Sequence, residues 1–214
     1  MLRPGYACDV PDSSTERLPA RAPESRRGLR ADARRNREQI LRTAQRLFAT
    51  DGLGVSLDEI ARRADVGPGT VHRHFPSKEA LYLAVAIDQL EQLVEEAKEI
   101  GGTESPDMAL FTMLARMMAS GARNATVKSA LAAAEYDLRT AAPDVAAELR
   151  HQVATLLDRA QAVGAAREDV TVEELMALIA GAFAAIRHAG AETSETHSAH
   201  IAQLILDGIR PQHN

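Results

Sequence analysis

The sequence predicts an all-α protein of about nine helices, with a small three-helix N-terminal domain followed by a larger helical domain. Three observations predict it. Ala, Leu, Glu and Arg dominate, all good helix formers, while aromatics make up only 3% of a chain that is 45% hydrophobic. From Ile40 onward, apolar residues recur at three- and four-residue spacing, and no segment shows the alternation of a half-buried strand. Helix starts and stops also fall where that pattern needs them, at Ser/Thr-x-x-Glu boxes, Pro and Gly.

The 214 residues hold one cysteine, Cys8. A single thiol cannot close an internal disulfide or build a cysteine zinc cage, so a reducing cytoplasm is the expected location. The opening MLRPGYACDVP has no apolar run resembling a signal peptide. No later segment reaches the ~18 consecutive apolar residues of a membrane helix, so no membrane partner is expected. The net charge of −5 hides a division. Residues 1–78 carry fifteen Lys/Arg against ten Asp/Glu, a net of +5; residues 79–214 carry ten against twenty, a net of −10. That asymmetry fits a protein whose first part meets a polyanion.

Residues 1–30 contain Pro4, Pro11, Pro19 and Pro23 without apolar periodicity and read as a disordered Arg/Pro-rich arm. Eight Arg lie between Arg17 and Arg37, a tract suited either to a phosphate backbone or to solvent. A first helix is expected from about Asp32 to Thr50, with Ile40, Leu41, Ala44, Leu47 and Phe48 on its inner face, ended by Asp51-Gly52. Ser56-Leu57-Asp58-Glu59 is a capping box opening a helix to about Ala64. A short helix follows from about Pro68 to Phe75. Ser77 caps a long one, about Lys78 to Ile100, broken by Gly101-Gly102. Pro106 opens the next helix, with Leu110, Phe111, Leu114, Met117 and Met118 inward. Further helices are expected at about Lys128–Thr140, Asp144–Val163 (ended by Gly164), Thr171–Gly190 from a second capping box, and Thr196–Ile209.

The segment Ser56–Phe75 has the requirements of a helix-turn-helix. Ala61 is small enough for a helix crossing. Asp65 tolerates the positive φ of the turn. Ile60, Val66 and Val71 anchor the two helices inward, and Pro68 suits a first helical turn. Thr70, His72, Arg73 and His74 are then left outward or along the rim. A helix of this length fits a major groove about 12 Å wide.

The run VSLDEIARRADVGPGTVHRHFPSKEALY resembles the DNA-binding signature of the tetracycline-repressor-like (TetR) family. The resemblance covers roughly Arg34 to Leu90, with Asn36 departing from the pattern, and beyond residue 90 only the general organisation carries over. It implies division into residues 31–78, a DNA-binding domain with its motif at 56–75, and residues 79–214, an effector-binding and dimerisation domain. Thr70 matches the family's helix-starting hydroxyl that bonds a phosphate, and Gly69 precedes it in the matching run. His72 stands where the family usually has Tyr, at a phosphate- and base-contacting position. Arg73 occupies a variable position that helps set sequence preference; its bidentate partner would be guanine. His74 matches a rim position near the backbone, and Lys78 the phosphate-binding lysine. Ser56 and its neighbouring amides would face a phosphate, or act only as a cap. Arg62 and Arg63 read as solvated surface charges.

One short recognition helix buries too little surface for strong specific binding, so a homodimer reading two half-sites of double-stranded operator DNA is expected. The apolar helices at about 172–189 and 196–210 resemble the pair that forms the family's four-helix dimer bundle. The middle helices would then enclose a small-molecule effector pocket, with Phe111, Leu114, Met117, Met118, Tyr136, Phe183 and His188 as candidate lining residues. Such stripes also serve as plain core. The acidic charge of this half points to a neutral or cationic effector. The resemblance makes repression, relieved by the effector, the default function. An enzyme or a helical scaffold is the alternative, but no catalytic set, phosphate loop or cofactor motif assembles, and none is expected. His197-x-x-His200 has metal-compatible spacing without a supporting acid, so no metal site is expected either.

Overall fold

The computed structural model describes residues 23–123, 127, 130–131, 137–188 and 195–211. Among them there is no strand. The helices follow as α1 (Pro23–Thr50), α2 (Leu57–Arg63), α3 (Pro68–His74), α4 (Lys78–Thr103) and α5 (Pro106–Arg123), then α6 (Leu138–Ala141), α7 (Pro143–Ala162), α8 (Val172–His188) and α9 (Glu195–Ile209). Val127, Ala130 and Leu131 are helical as well. The chain divides into two compact units, residues 1–35 and 36–214.

Most of the expected arm, residues 1–22, lies outside the described residues. Its last part is helical, because α1 starts at Pro23 rather than near Asp32. Proline's fixed φ suits a helix start, and extending an existing helix avoids the cost of a new nucleus. Within the first unit, Arg35 pairs with Asp32 one turn away.

Two further boundaries differ from expectation. α4 does not break at Gly101-Gly102 but continues to Thr103. Arg159 of α7 donates to the Gly101 carbonyl at 2.5 Å, and a Cβ on Gly101 would come 3.3 Å from Leu156 Cδ2. Gly101 thus brings α4 close to α7, and that packing outweighs its weak helix propensity. The helix expected at about Lys128–Thr140 is interrupted at Asp137, which takes extended angles (φ −102, ψ 118) and caps α6 by accepting from Arg139 N. Aspartate competes with helical bonds in this way; residues 132–136, Tyr136 included, lie outside the description. The stop expected at Gly190 also lies outside it. The other stops hold: Gly52 (φ 73) and Gly164 (φ 70) are left-handed after α1 and α7.

Two hydrophobic clusters organise residues 36–214. The first gathers Ile40, Leu41, Ala44, Leu47 and Phe48 of α1, the buried faces of α2 and α3, and α4 up to Ala86. The second begins at Leu93 of α4 and takes in α5, α7, α8 and Ile209 of α9. The long α4 therefore serves both. Val127 and Leu131, each 2% exposed, follow α5 in the chain but belong to the first cluster.

Candidate nucleic-acid interface

The helix-turn-helix is built from a buried inner face and short-range polar locks. Ile60, Ala61 and Val71 are fully buried and Phe75 nearly so, which fixes α2 against α3. Ser56 Oγ accepts from Glu59 N at 3.1 Å, one half of the expected capping box. The turn after α2 is a Schellman closure. Asp65 takes the left-handed conformation at φ 52, its N–H meets Arg62 O at 3.3 Å, and Val66 N meets Ala61 O at 3.0 Å. Gln39 of α1 donates to the Ala64 carbonyl at 2.7 Å, tying this turn to the neighbouring helix. Gly67 then caps α3, with Pro68 in its first turn.

Burial of Val71 turns the opposite side of α3 outward. Gly69, His72 and Arg73 are exposed at a spacing of three and four residues, one helical face. Thr70 and His74 are half-buried at its edges. His74 lies beside the Phe75 ring, centroids 6.1 Å apart. Arg37 of α1 covers Phe75 as well, 5.6 Å from its centroid. A Cβ added at Gly69 would meet nothing within 4 Å, so packing within the protein does not require glycine there.

The charges on this surface are largely matched to one another. Glu59 does not reach back to complete the capping box. It pairs with Arg62 at 2.5 Å and Arg63 at 2.9 Å instead. The Arg62 hydrogen bond foremost, aided by Arg63, draws its carboxyl down from 4.5 to about 2. Asp58, one residue earlier, lies 3.2 Å from His72 Nε2. Arg73 has no ionic or hydrogen-bonded partner among the described residues. Lys78 donates from Nζ to the carbonyls of Leu53 (3.1 Å) and Gly54 (3.4 Å), and Tyr82 OH also donates to Leu53 O at 3.1 Å. Lys78 therefore clamps the α1–α2 loop. Its ammonium has three protons. Sequence spacing gave no sign of the Asp58–His72, Lys78–loop or Gln39–turn contacts, because each joins different elements.

The effector-pocket candidates fall elsewhere. Phe111, Leu114, Met117 and Met118 are at most 4% exposed within the second cluster. Arg210 lies over the Phe111 ring, 4.1 Å from its centroid. Phe183 packs so closely on Gly121 that a Cβ there would sit 1.9 Å from the ring. Tyr136 and the side chain of His188 lie outside the described residues. A cavity of about 590 Å³ has a different lining: Leu90 of α4, Leu138 and Arg139 of α6, Ala146, Leu149 and Arg150 of α7, and Glu173, Met176, Ala177 and Ala180 of α8. Its walls are mostly apolar. Arg139 is paired with Asp137 at 3.0 Å, while Arg150 and Glu173 have no partner among the described residues. The acidic charge of this half of the chain is not concentrated there. Among the described residues, no three His, Cys, Asp or Glu side chains group as metal ligands, and no helix is long and apolar enough to cross a membrane.

Away from the cavity, α8 exposes Leu178, Gly181 and Ala185, and α9 exposes Gln203, Leu204, Asp207 and Gly208. Leu178 is 48% and Leu204 58% exposed.

Residues 40–85 match the family described as bacterial regulatory proteins, tetR family. Residues 105–211 match the family described as transcriptional regulator SbtR-like, C-terminal domain. The chain belongs to the TetR family. A TetR transcription regulatory protein from Mycobacterium vanbaalenii is 40% identical, with 86% of this chain and 99% of that chain covered at a TM-score of 0.68. A TetR transcriptional regulator from Streptomyces coelicolor is 28% identical over 83% of this chain and 99% of that one, with a TM-score of 0.64. An HTH-type transcriptional regulator from Staphylococcus aureus is 34% identical over 73 residues, which span 34% of this chain and 40% of that relative's length. The strongest continuity with the curated relatives is thus local, whereas the structural match covers the TetR architecture as a whole.

Proposed function

We propose that this TetR-family chain is a sequence-specific DNA-binding transcriptional repressor that acts as a homodimer and leaves its operator when a small molecule binds. The observation that carries the reading is the outward face of α3. Gly69, His72 and Arg73 project together from a short helix whose other side is locked by buried Val71. Glycine is a weaker helix former than alanine, and nothing inside the protein asks for one at Gly69. Close approach of a DNA backbone supplies a reason. Thr70 and Lys78 would hold phosphates on either side, with Ser56 and His74 at the rim and Arg73 free to reach a guanine. Residues 31–78 would thus read DNA, and residues 79–214 sense the effector and pair.

The exposed faces of α8 and α9 support pairing through about 172–189 and 196–210. Gly181 and Gly208 lie within these helices, and a Cβ on either would meet nothing in its own chain. Small residues without an internal packing reason suit the close approach of a second copy. The cavity beside α8 supports the effector reading, since its volume lies within the roughly 300–1,000 Å³ range of ligand sites. An effector with an apolar body and a polar end near Arg150 and Glu173 fits its lining. A 100-fold loss of DNA affinity would need only about 2.7 kcal/mol of coupling between the two sites. α4 is the natural lever, because its two ends belong to different clusters.

A gel-shift series with the DNA upstream of the chain's own gene tests the core of this reading. A specific complex with two chains per operator is expected. Absence of any sequence-specific shift, even at low salt, would remove it.

A further inference from the structure

His72 departs from the tyrosine usual at its position, and the structure gives it a companion from another helix. Asp58 of α2 lies 3.2 Å from Nε2 of His72 on α3. Both side chains are well exposed, His72 by 51% and Asp58 by 72%. Neither is needed to fill the core. An acidic residue beside a phosphate-facing surface is unfavourable for DNA binding unless it has a task. An ionised carboxylate only accepts hydrogen bonds, so the Nε2 facing it must carry the proton. In a neutral imidazole the other nitrogen, Nδ1, is then a pure acceptor. Nδ1 has no partner among the described residues.

We infer that Asp58 is a positioning residue for operator specificity: it holds His72 with Nε2–H inward, so that Nδ1 accepts from the exocyclic amino group of adenine or cytosine in the major groove. Those amino groups are the only base donors on that edge of the duplex. Two consequences follow. The carboxylate keeps phosphate oxygens away from the imidazole, which directs His72 to a base rather than to the backbone. It also replaces the freely turning ring of an isolated histidine with one orientation and one tautomer. This inference rests on the reading that α3 enters the major groove.

The test begins with selection of a preferred operator from random DNA by the full-length chain. Affinities are then measured for wild type, Asp58→Ala, Asp58→Asn, His72→Ala and the double alanine variant, on the selected site and on sites changed at each base. His72→Ala is expected to lose between about two- and tenfold discrimination at one position, the range of one neutral hydrogen bond. Asp58→Ala is expected to lose it at the same position, and the double variant to be no worse than either single one. Asp58→Asn can still accept from Nε2–H through its amide oxygen, so it should retain discrimination while binding all sequences more tightly. Removing the exocyclic amino group from the selected base should weaken wild type and leave Asp58→Ala unaffected. Full discrimination by Asp58→Ala, or strictly additive losses in the double variant, would overturn the inference while leaving His72 as a DNA contact. Unchanged binding of every site by His72→Ala would overturn it by removing the contact itself. Both residues are exposed, so these variants are expected to fold, and circular dichroism checks this.

Discussion

The capping boxes at Ser56–Glu59 and Thr171–Glu174 share a sequence pattern, and the structure uses them differently. At the start of α8 the box is complete. Glu174 N donates to Thr171 Oγ1 at 3.2 Å, and Thr171 N donates back to Glu174 Oε2 at 2.9 Å. At the start of α2 only the serine half forms, and Glu59 turns outward to Arg62 and Arg63. The difference lies in what surrounds each glutamate. No arginine one turn along α8 competes for Glu174, whereas two compete for Glu59. The region proposed to bind DNA therefore engages these acidic groups locally, Glu59 with two arginines and Asp58 with the His72 imidazole. Its raw excess of arginine overstates the charge left free, and Arg73 is an exposed cation on α3 without a partner among the described residues. In the C-terminal region the exposed face of α8 is small and apolar instead, suited to another protein surface.

This contrast can be broken at several points. The largest effect is expected from Ile60→Ala, which hollows the fully buried anchor of α2. It should cost about 2–5 kcal/mol in denaturant unfolding and abolish operator binding. A protein that still binds specifically would show that the inner face does not position α3. Next, Arg73→Ala should cost about 1–3 kcal/mol at one base position, read by competition against base-substituted operators. Lys78→Ala should instead weaken every sequence alike and lower the salt slope by about one unit. Equal losses on all sequences for Arg73→Ala would make Arg73 a backbone contact.

A smaller effect separates the two boxes. Thr171→Ala removes a hydroxyl that both accepts from Glu174 N and donates to Glu174 Oε2, and should cost about 1–2 kcal/mol, while Ser56→Ala removes a hydroxyl that only accepts from Glu59 N and should cost about 1 kcal/mol or less. Equal losses in thermal melts would mean the Thr171 hydroxyl's bond to the Glu174 carboxylate contributes nothing. The smallest effect concerns acid. Glu59 has a folded pKa drawn down to about 2, so its stabilising contribution is complete above its ordinary value of 4.5 and fades as pH falls towards 2. Glu59→Gln should flatten the fall of melting temperature across that window. Thr171→Ala at constant pH leaves the Glu59 ion pairs in place, so it should not alter this part of the profile.

The sequence by itself determined the all-α fold, most helix starts and stops, and the helix-turn-helix. Those features rest on interactions a few residues apart, which a linear pattern records: periodic apolar faces, Asp65 in its left-handed turn, Gly52 and Gly164 after their helices. Where a distant residue intervened, the pattern failed. Gly101 stays helical because Leu156 and Arg159 meet it from α7. Phe111 and Met117 look equally suited to core or pocket from one helix, and only the packing of the other helices put them in the core. The same holds for the candidate site. The outward His72 and Arg73, with Thr70 and His74 along the rim, were legible from spacing, but the exposure of Gly69 and the partner of each charge were not. Tertiary structure alone brought Asp58 to His72, Lys78 to the Leu53 carbonyl, and Val127 and Leu131 to the core beneath the helix-turn-helix. Each of those contacts joins separate elements, and spacing along one element carries no record of them.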